Sequence, residues 1–336
     1  MYTQIIKGES IFTILEGEWD ALVTRSMTNT PFQTIAYQKA WWKYMQPKGS
    51  VLQSIVIRQD DGQLLAIACL YVTEDGIVQF NGCVEETDYL DLIVEAWHAD
   101  EAWSLIFNCL LGDDYPVWRL VDLCNIPAIS PSRAILAQIS ASKDLTLVES
   151  INEVCPVIQL PPSFDAYLQS LDSKQKREVQ RKLRRAQGAE AEFRIIGPDD
   201  DLDQAVDDFL ILLQKSTFEK RDWLSDERRS LFHSIAKAAQ EADSLQLLFM
   251  EIDGRRAAGL FNFDFADRIW VYNSGLDPDA FGNLSLGVVL TSKAIAWAIE
   301  NGRVEFDFLR GSETYKYRFG AQDTKIYRLD ISRSPR

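Results

Sequence analysis

Short apolar runs punctuated by Asp-Gly turns organise this chain. VLQSIVIR (51–58), QLLAIACLYV (63–72) and GIVQFNG (76–82) read as three strands joined by turns at Asp61-Gly62 and Asp75-Gly76, an antiparallel meander. Before them, TPFQT (30–34) is a loop, and 35–45 has the spacing of a helix, with Tyr37 and Trp41 four apart on one face. After them the pattern predicts a helix over 98–111, a strand at 117–123, a helix over 131–142 and a strand near 145–150. VCPVIQL (154–160) opens a second round. Ser163 caps a short helix, a basic helix runs over 173–187, and EFRIIG (192–197) is a strand. Helices over 201–219 and 226–241 lead to three more strands, 245–252, 256–265 and 269–276, again turned by Asp-Gly and Asp-Arg. A mostly apolar helix over 284–300 stops at Asn301-Gly302, and VEFDFL and KIYRLDIS close the chain. Each half is thus a meander followed by a helix and a further strand. The expected class is α+β, in two domains of 1–155 and 156–336 joined near 150–165.

The 336 residues are long enough for two cores, and 46% apolar with 25% charged residues are globular values. No run of apolar residues is long enough to span a membrane, and MYTQIIKGESIFTILEGEW lacks the form of a signal peptide. The expectation is a cytoplasmic protein without an integral membrane segment. The net charge of −15 argues against DNA as a partner. Residues 172–185 break the rule. They hold seven basic and two acidic residues, a local +5 that leaves −20 on the rest. On a helix, Arg177, Arg181 and Arg184 share one face with Lys174, and guanidinium forks there suit phosphate. The five cysteines are odd in number and scattered, which predicts reduced core thiols and no disulfide. The only histidines, His98 and His233, sit in no recognisable motif, and no metal is expected.

The motifs narrow the class. TPFQT before Trp41-Trp42, DYLDLI (88–93), CPVIQLP (155–161), SKQKREVQRKLRR (173–185), YNSGLDP (272–278), a glycine-entered apolar helix and FDFLRGSETYKYR (306–318) occur in that order. The set resembles the FemAB-like branch of the GNAT acyltransferase superfamily, and within it the CelD-like acetyltransferases linked to exopolysaccharide. The resemblance spans nearly the whole chain and implies two tandem GNAT-like domains, with strand 324–332 free to return to the first, and at most peripheral association with envelope-synthesis enzymes. It implies transfer of an acyl group from acyl-CoA, with no permanently bound cofactor, to an amine or hydroxyl of a small-molecule, peptide, or lipid- or nucleotide-linked sugar precursor. Two other functions stand beside it. One is a catalytically inactive GNAT pair serving as a binding module in polysaccharide synthesis, because the phosphate-loop pattern is not intact at Asn283–Gly287. The other is a Fem-type aminoacyl-tRNA transferase, which the lack of a long coiled-coil arm disfavours.

Acyl transfer needs a proton acceptor, carbonyl polarisation, a cradle for the donor's phosphates and a held acceptor. Asp91, flanked by apolar residues, and Asp307, between two phenylalanines, are the candidate carboxylates. By the resemblance, Tyr315 or Tyr317 is the acid for the leaving thiolate, and GLFNFDF lies where the pantetheine arm pairs with backbone. Arg310 and Lys316, expected to be accessible in the cleft, join Lys174, Arg177, Arg181, Arg184 and Tyr317 as substrate or phosphate binders. Ser285 and Gly287 at the start of the apolar helix, with Asn273, are the donor-binding candidates. Gly287 either admits a phosphate or merely allows close helix–sheet packing.

Overall fold

The computed structural model describes residues 1–83 and 86–333. Contacts divide the chain into two compact units, Met1–Val154 with Lys325–Arg336, and Cys155–Thr324.

In the first unit β1 (Tyr2–Lys7), α1 (Ser10–Ile14), α2 (Trp19–Arg25) and α3 (Ile35–Met45) precede β2 (Val51–Arg58), β3 (Leu64–Ala68), β4 (Leu70–Val72) and β5 (Ile77–Phe80). There follow β6 (Ile93–Val94), α4 (Ala99–Leu111), β7 (Leu120–Pro127), α5 (Ser132–Ser142) and β8 (Leu145–Gln159), which runs on into the second unit. The expected single strand 63–72 breaks at Cys69. Its first part pairs with β2 and β6, its second with β2 and β5. α4 then carries the chain to β7, which lies parallel to β5. Buried Trp103, Ile106 and Phe107 of α4 pack on this sheet in one apolar core. Two expected strands, 145–150 and 154–160, are the one long β8.

One expectation about this unit fails. Cys83 and Cys124 form a disulfide, their Cα atoms 5.7 Å apart although 41 residues separate them in sequence. The parallel pairing of β5 with β7 brings the two together, a tertiary fact that spacing along the chain does not reveal. Cys69 and Cys155 are buried thiols, as expected.

The second unit adds α6 (Phe164–Ser170), α7 (Ser173–Gly188), β9 (Glu192–Ile195), α8 (Leu202–Ser216), α9 (Phe218–Trp223) and α10 (Asp226–Glu241). Then come β10 (Leu245–Ile252), β11 (Arg255–Phe265), β12 (Arg268–Leu276), α11 (Leu286–Glu300), β13 (Glu305–Asp307), α12 (Thr314–Tyr317) and β14 (Gln322–Arg333), which from Lys325 on belongs to the first unit. Strands β9 to β12 pair antiparallel in sequence order. α11 leads to β13, which lies parallel to β12 and antiparallel to the end of β8. Each unit therefore repeats one plan, a meander, a crossover helix and a parallel strand. From Ile326 to Ser332, β14 pairs with β7.

Candidate functional site

The second unit contains an opening in its sheet. β12 and β13 pair from Arg268/Glu305 to Trp270/Asp307, and there the pairing ends, while β12 continues to Leu276. Opposite, a bulge between Phe261 and Asn262 shifts the β11–β12 register and bends the strand. A cavity of about 690 Å³ occupies this place. Its walls are Ala258–Leu260 of β11, Val271 and Ser274–Leu276 of β12, the start of α11, and Phe308, Tyr315 and Phe319. The size and the mainly apolar lining suit a small organic ligand.

Past Trp270, side chains rather than a strand meet the backbone of β12. Ser274 O accepts from Lys220 Nζ at 2.6 Å, and Leu276 N–H donates to Ser216 Oγ at 2.8 Å. β11, in contrast, is paired on both sides, so the uncovered edge belongs to β12 and not to GLFNFDF.

The start of α11 faces the cavity. Phe281 and Ser285 both adopt left-handed backbone (φ 51° and 55°), which turns the chain sharply into the helix. No side chain caps this end. Val288 and Val289 N–H donate to Ser285 O. Leu286 and Gly287 are first-turn residues, whose N–H groups have no acceptor within the helix, and both line the cavity. With the helix dipole they make an anion-seeking corner. The role of Gly287 can be decided by space. A Cβ there would meet only the Leu276 methyls, at 4.0 Å, so packing does not demand glycine. At Gly275 a Cβ would lie 2.6 Å from Leu213 N, and there the close approach of α8 does demand it.

The stretch after β13 forms the opposite wall. Phe306 and Phe308 are core residues, their rings 5.2 Å apart, and Phe308 also stacks on Phe319 and meets the edge of Tyr315. Buried Asp307 accepts the Leu309 N–H at 2.7 Å, which holds a turn in which Leu309 and Gly311 have positive φ. Tyr315 lines the cavity and its hydroxyl bonds to Ser274. Burial, then the charge of Glu313, pushes the phenol pKa upward, so it keeps its proton at neutral pH.

Lys316 does not stand in the cleft as expected. It is buried, and its ammonium donates to Leu309, Arg310 and Gly311 carbonyls at 3.1, 2.6 and 3.0 Å and pairs with Glu313 at 2.9 Å. A turn of left-handed residues leaves three carbonyls pointing inward, and Lys316 satisfies them. Tyr317 is also reassigned. Its hydroxyl donates to Asp323 at 2.7 Å, and Tyr317 does not line the cavity. Arg310 is half-buried and contributes its carbonyl to the Lys316 cluster.

Lys220 is a cavity residue that sequence reasoning missed. The expected helix 201–219 breaks at Thr217, which is fully extended (φ −150°, ψ 161°) and caps α9 by accepting Lys220 N–H. The break swings Lys220 onto Ser274. Burial, the largest effect, lowers its pKa to about 8, with Glu313 opposing and Lys316 adding to the fall. The Ser-Thr pair at 216–217 was the available signal, since such residues prefer caps to helix interiors.

The carboxylate candidates fare differently from their sequence roles. Asp91 is buried in the first unit and accepts from Thr28 Oγ1 (2.9 Å), Ser132 Oγ (2.6 Å), Leu92 N (2.8 Å) and the Ser130 hydroxyl. Burial pushes its pKa up and these bonds pull it down. With its lone pairs so occupied it ties the loop after α2, the loop after β7 and the start of α5 together, which is a structural task. Asp307 does not line the cavity but fixes the turn beside it. Asn273 does not line it either. Its Oδ1 accepts from Ser274 N, and Ser274 is the one exposed to the cavity. Ser285 and Gly287 line it as donor candidates.

α7 presents Lys174, Arg177, Arg181 and Arg184 to solvent while Val179 and Ala186 join the core with α11. Arg177 Nε donates to Ser173 O, and Arg181 pairs with Glu178. Lys182, one step along, reaches the cavity. Among the described residues no cluster of His, Cys, Asp and Glu is placed to hold a metal, and no helix is long and apolar enough to cross a membrane.

Crossover helix, split parallel strands and uncapped helix start together define a GNAT-type fold, present here in tandem. Residues 173–317 match the family described as "Acetyltransferase (GNAT) domain", a span that includes all the cavity lining except Phe319. Among solved structures the chain is similar to FemX, at a TM-score of 0.71 and 12% identity over 100% of this chain and 98% of that one. It is similar to L-PGS from Bacillus licheniformis, at 0.58 and 9% over 95% and 92%. It is also similar to a tandem GNAT protein from the clavulanic acid biosynthesis pathway, at 0.51 and 12% over 100% of both chains. At these identities the likeness is one of fold, and it agrees with the FemAB-like resemblance of the sequence. No curated protein matches the chain by sequence.

Proposed function

We propose that this protein transfers an acyl group from an acyl-CoA, by direct attack in a ternary complex, to an amine or hydroxyl of a cell-envelope or exopolysaccharide precursor. The observation that carries the reading is the cavity where β12 and β13 part, closed at one end by the uncapped start of α11. Leu286 and Gly287 N–H groups hold the donor's pyrophosphate, and the absent Cβ at Gly287 lets it approach. A carbonyl of the donor takes the place of Ser216 at the Leu276 N–H of β12, and Lys220 stays on Ser274. Tyr315, protonated beside Ser274, hydrogen-bonds the departing thiolate and returns its proton. Lys220, whose pKa of about 8 leaves part of it neutral at physiological pH, accepts the proton of the attacking nucleophile. Asp91, Asp307 and Lys316 support the framework. Lys174, Arg177 and Arg184 offer a phosphate-binding face for the acceptor. Similarity in fold to the tandem GNAT protein from the clavulanic acid biosynthesis pathway, described in its form without AcCoA, favours this class.

Thermal-shift screening with acetyl-CoA, longer acyl-CoAs and aminoacyl-tRNA tests the reading. Stabilisation by an acyl-CoA, followed by acyl transfer to an envelope precursor, supports it. Stabilisation by aminoacyl-tRNA alone supports the Fem-type donor. Response to none makes the protein a binding module.

A further inference from the structure

The cations of the second unit that share the cavity's surroundings mostly face carboxylates. Lys316 has Glu313, Lys182 has Glu178, and Lys215 and Arg255 share Asp277. Lys220 differs. Among the described residues no carboxylate forms an ion pair with it, and its partners are Ser274 O at 2.6 Å and Ser274 Oγ at 3.4 Å. A neutral amine has two N–H bonds and one lone pair. The two Ser274 acceptors use the N–H bonds and leave the lone pair unshared, on a residue that lines the cavity. An ammonium would carry a third N–H, for which the described residues offer no acceptor.

The groups facing Lys220 have opposing effects. Glu313 favours its charge, Lys316 disfavours it, and burial outweighs both. Tyr315 shares Ser274 with it and stays protonated. Lys182 and Asp277 also line the cavity, each paired elsewhere.

We propose that Lys220 is itself an acyl-accepting side chain, acylated by the donor held in this cavity when no acceptor is present. The inference rests on the acyl-CoA reading of the cavity. The Nζ lone pair attacks the thioester carbonyl, a C–N amide bond forms and the C–S bond breaks. The proton lost by Nζ ends on the departing sulfur, directly or through the Tyr315 hydroxyl, so amine and thioester become amide and free thiol. The amide does not turn over and removes the proton acceptor, so the reaction switches the site off whenever donor outruns acceptor.

The purified full chain is incubated with acetyl-CoA alone between pH 6.5 and 9, and peptide mass spectrometry follows acetylation of each lysine. Calorimetry with acetyl-CoA runs in parallel. The expected result is one acetyl group, on Lys220, forming with a rate that rises roughly tenfold per pH unit and levels off above about 8. Lys220→Arg, permanently charged, binds donor but remains unmodified. Binding of acetyl-CoA without acetylation of Lys220, or with acetylation spread evenly over exposed lysines such as Lys174, overturns the inference and leaves the donor reading intact. Failure to bind acetyl-CoA overturns both.

Discussion

Replacing Lys316 with methionine should destabilise the second unit severely, although a charged residue in a turn is ordinarily expendable. Methionine keeps the length of the stem and removes the ammonium. The Leu309, Arg310 and Gly311 carbonyls then lose a donor at 2.6–3.1 Å in a place water does not reach, because the side chain is 3% exposed. Each hydrogen bond to a charged group contributes about 1.5–3 kcal/mol, but three made by one group do not add fully. Removing one partner from a buried charged network costs about 3–5 kcal/mol, which is the magnitude we adopt. For a unit of this size that corresponds to a fall in Tm of roughly 6–20 °C. Urea titration followed by tryptophan fluorescence measures it. Arg318→Met, at an exposed neighbour two residues on, is the control and should change stability by less than about 0.5 kcal/mol. If the two variants behave alike, Lys316 is an ordinary surface cation, and the wall holding Phe308 and Tyr315 is not built as described.

Phe306→Ala and Phe308→Ala should each lower stability by about 3–5 kcal/mol in the same titration, since both rings are buried. Arg177→Ala with Arg184→Ala should leave Tm nearly unchanged, because exposed charges contribute little, and should weaken binding of a phosphorylated acceptor in calorimetry. Lys220→Met should be favoured by low pH. The folded-state pKa of about 8 lies below the ordinary 10.5, so burying the charged form penalises the native state fully below pH 8 and the penalty fades as pH rises toward 10.5. The variant's stability relative to the parent should therefore be greater at pH 7 than at pH 9.5, by urea titration at both.

The parts legible in the sequence were those set by local pattern. Periodicity placed the meander strands and α11 within a few residues, and ordered motifs pointed to tandem GNAT-like domains. Ser285 and Gly287, singled out because a glycine-entered helix start has a chemical meaning of its own, line the cavity. The failures came from tertiary context. Nothing local distinguishes an exposed lysine from Lys316, whose burial follows from three carbonyls turned inward by a left-handed turn. The apolar flanks of Asp91 correctly indicated burial but could not show that serines and threonines from distant segments occupy the carboxylate. The same holds for Cys83 and Cys124, joined only once β5 and β7 lie side by side. Lys220 was hidden inside an apparently continuous helix that breaks at Thr217.

The central claim is that the α11 start and the β12 edge hold an acyl-CoA, and isothermal calorimetry on Gly287→Val tests it most directly. The added side chain meets nothing tighter than Leu276 methyls at 4.0 Å from its Cβ position, so folding is spared, while the space in front of the first N–H groups is filled. The account predicts that the parent binds acetyl-CoA with one site and that Gly287→Val, folded and equally stable, loses at least about tenfold in affinity, which is about 1.4 kcal/mol. Equal affinity in the two proteins, or no binding by the parent, would contradict it.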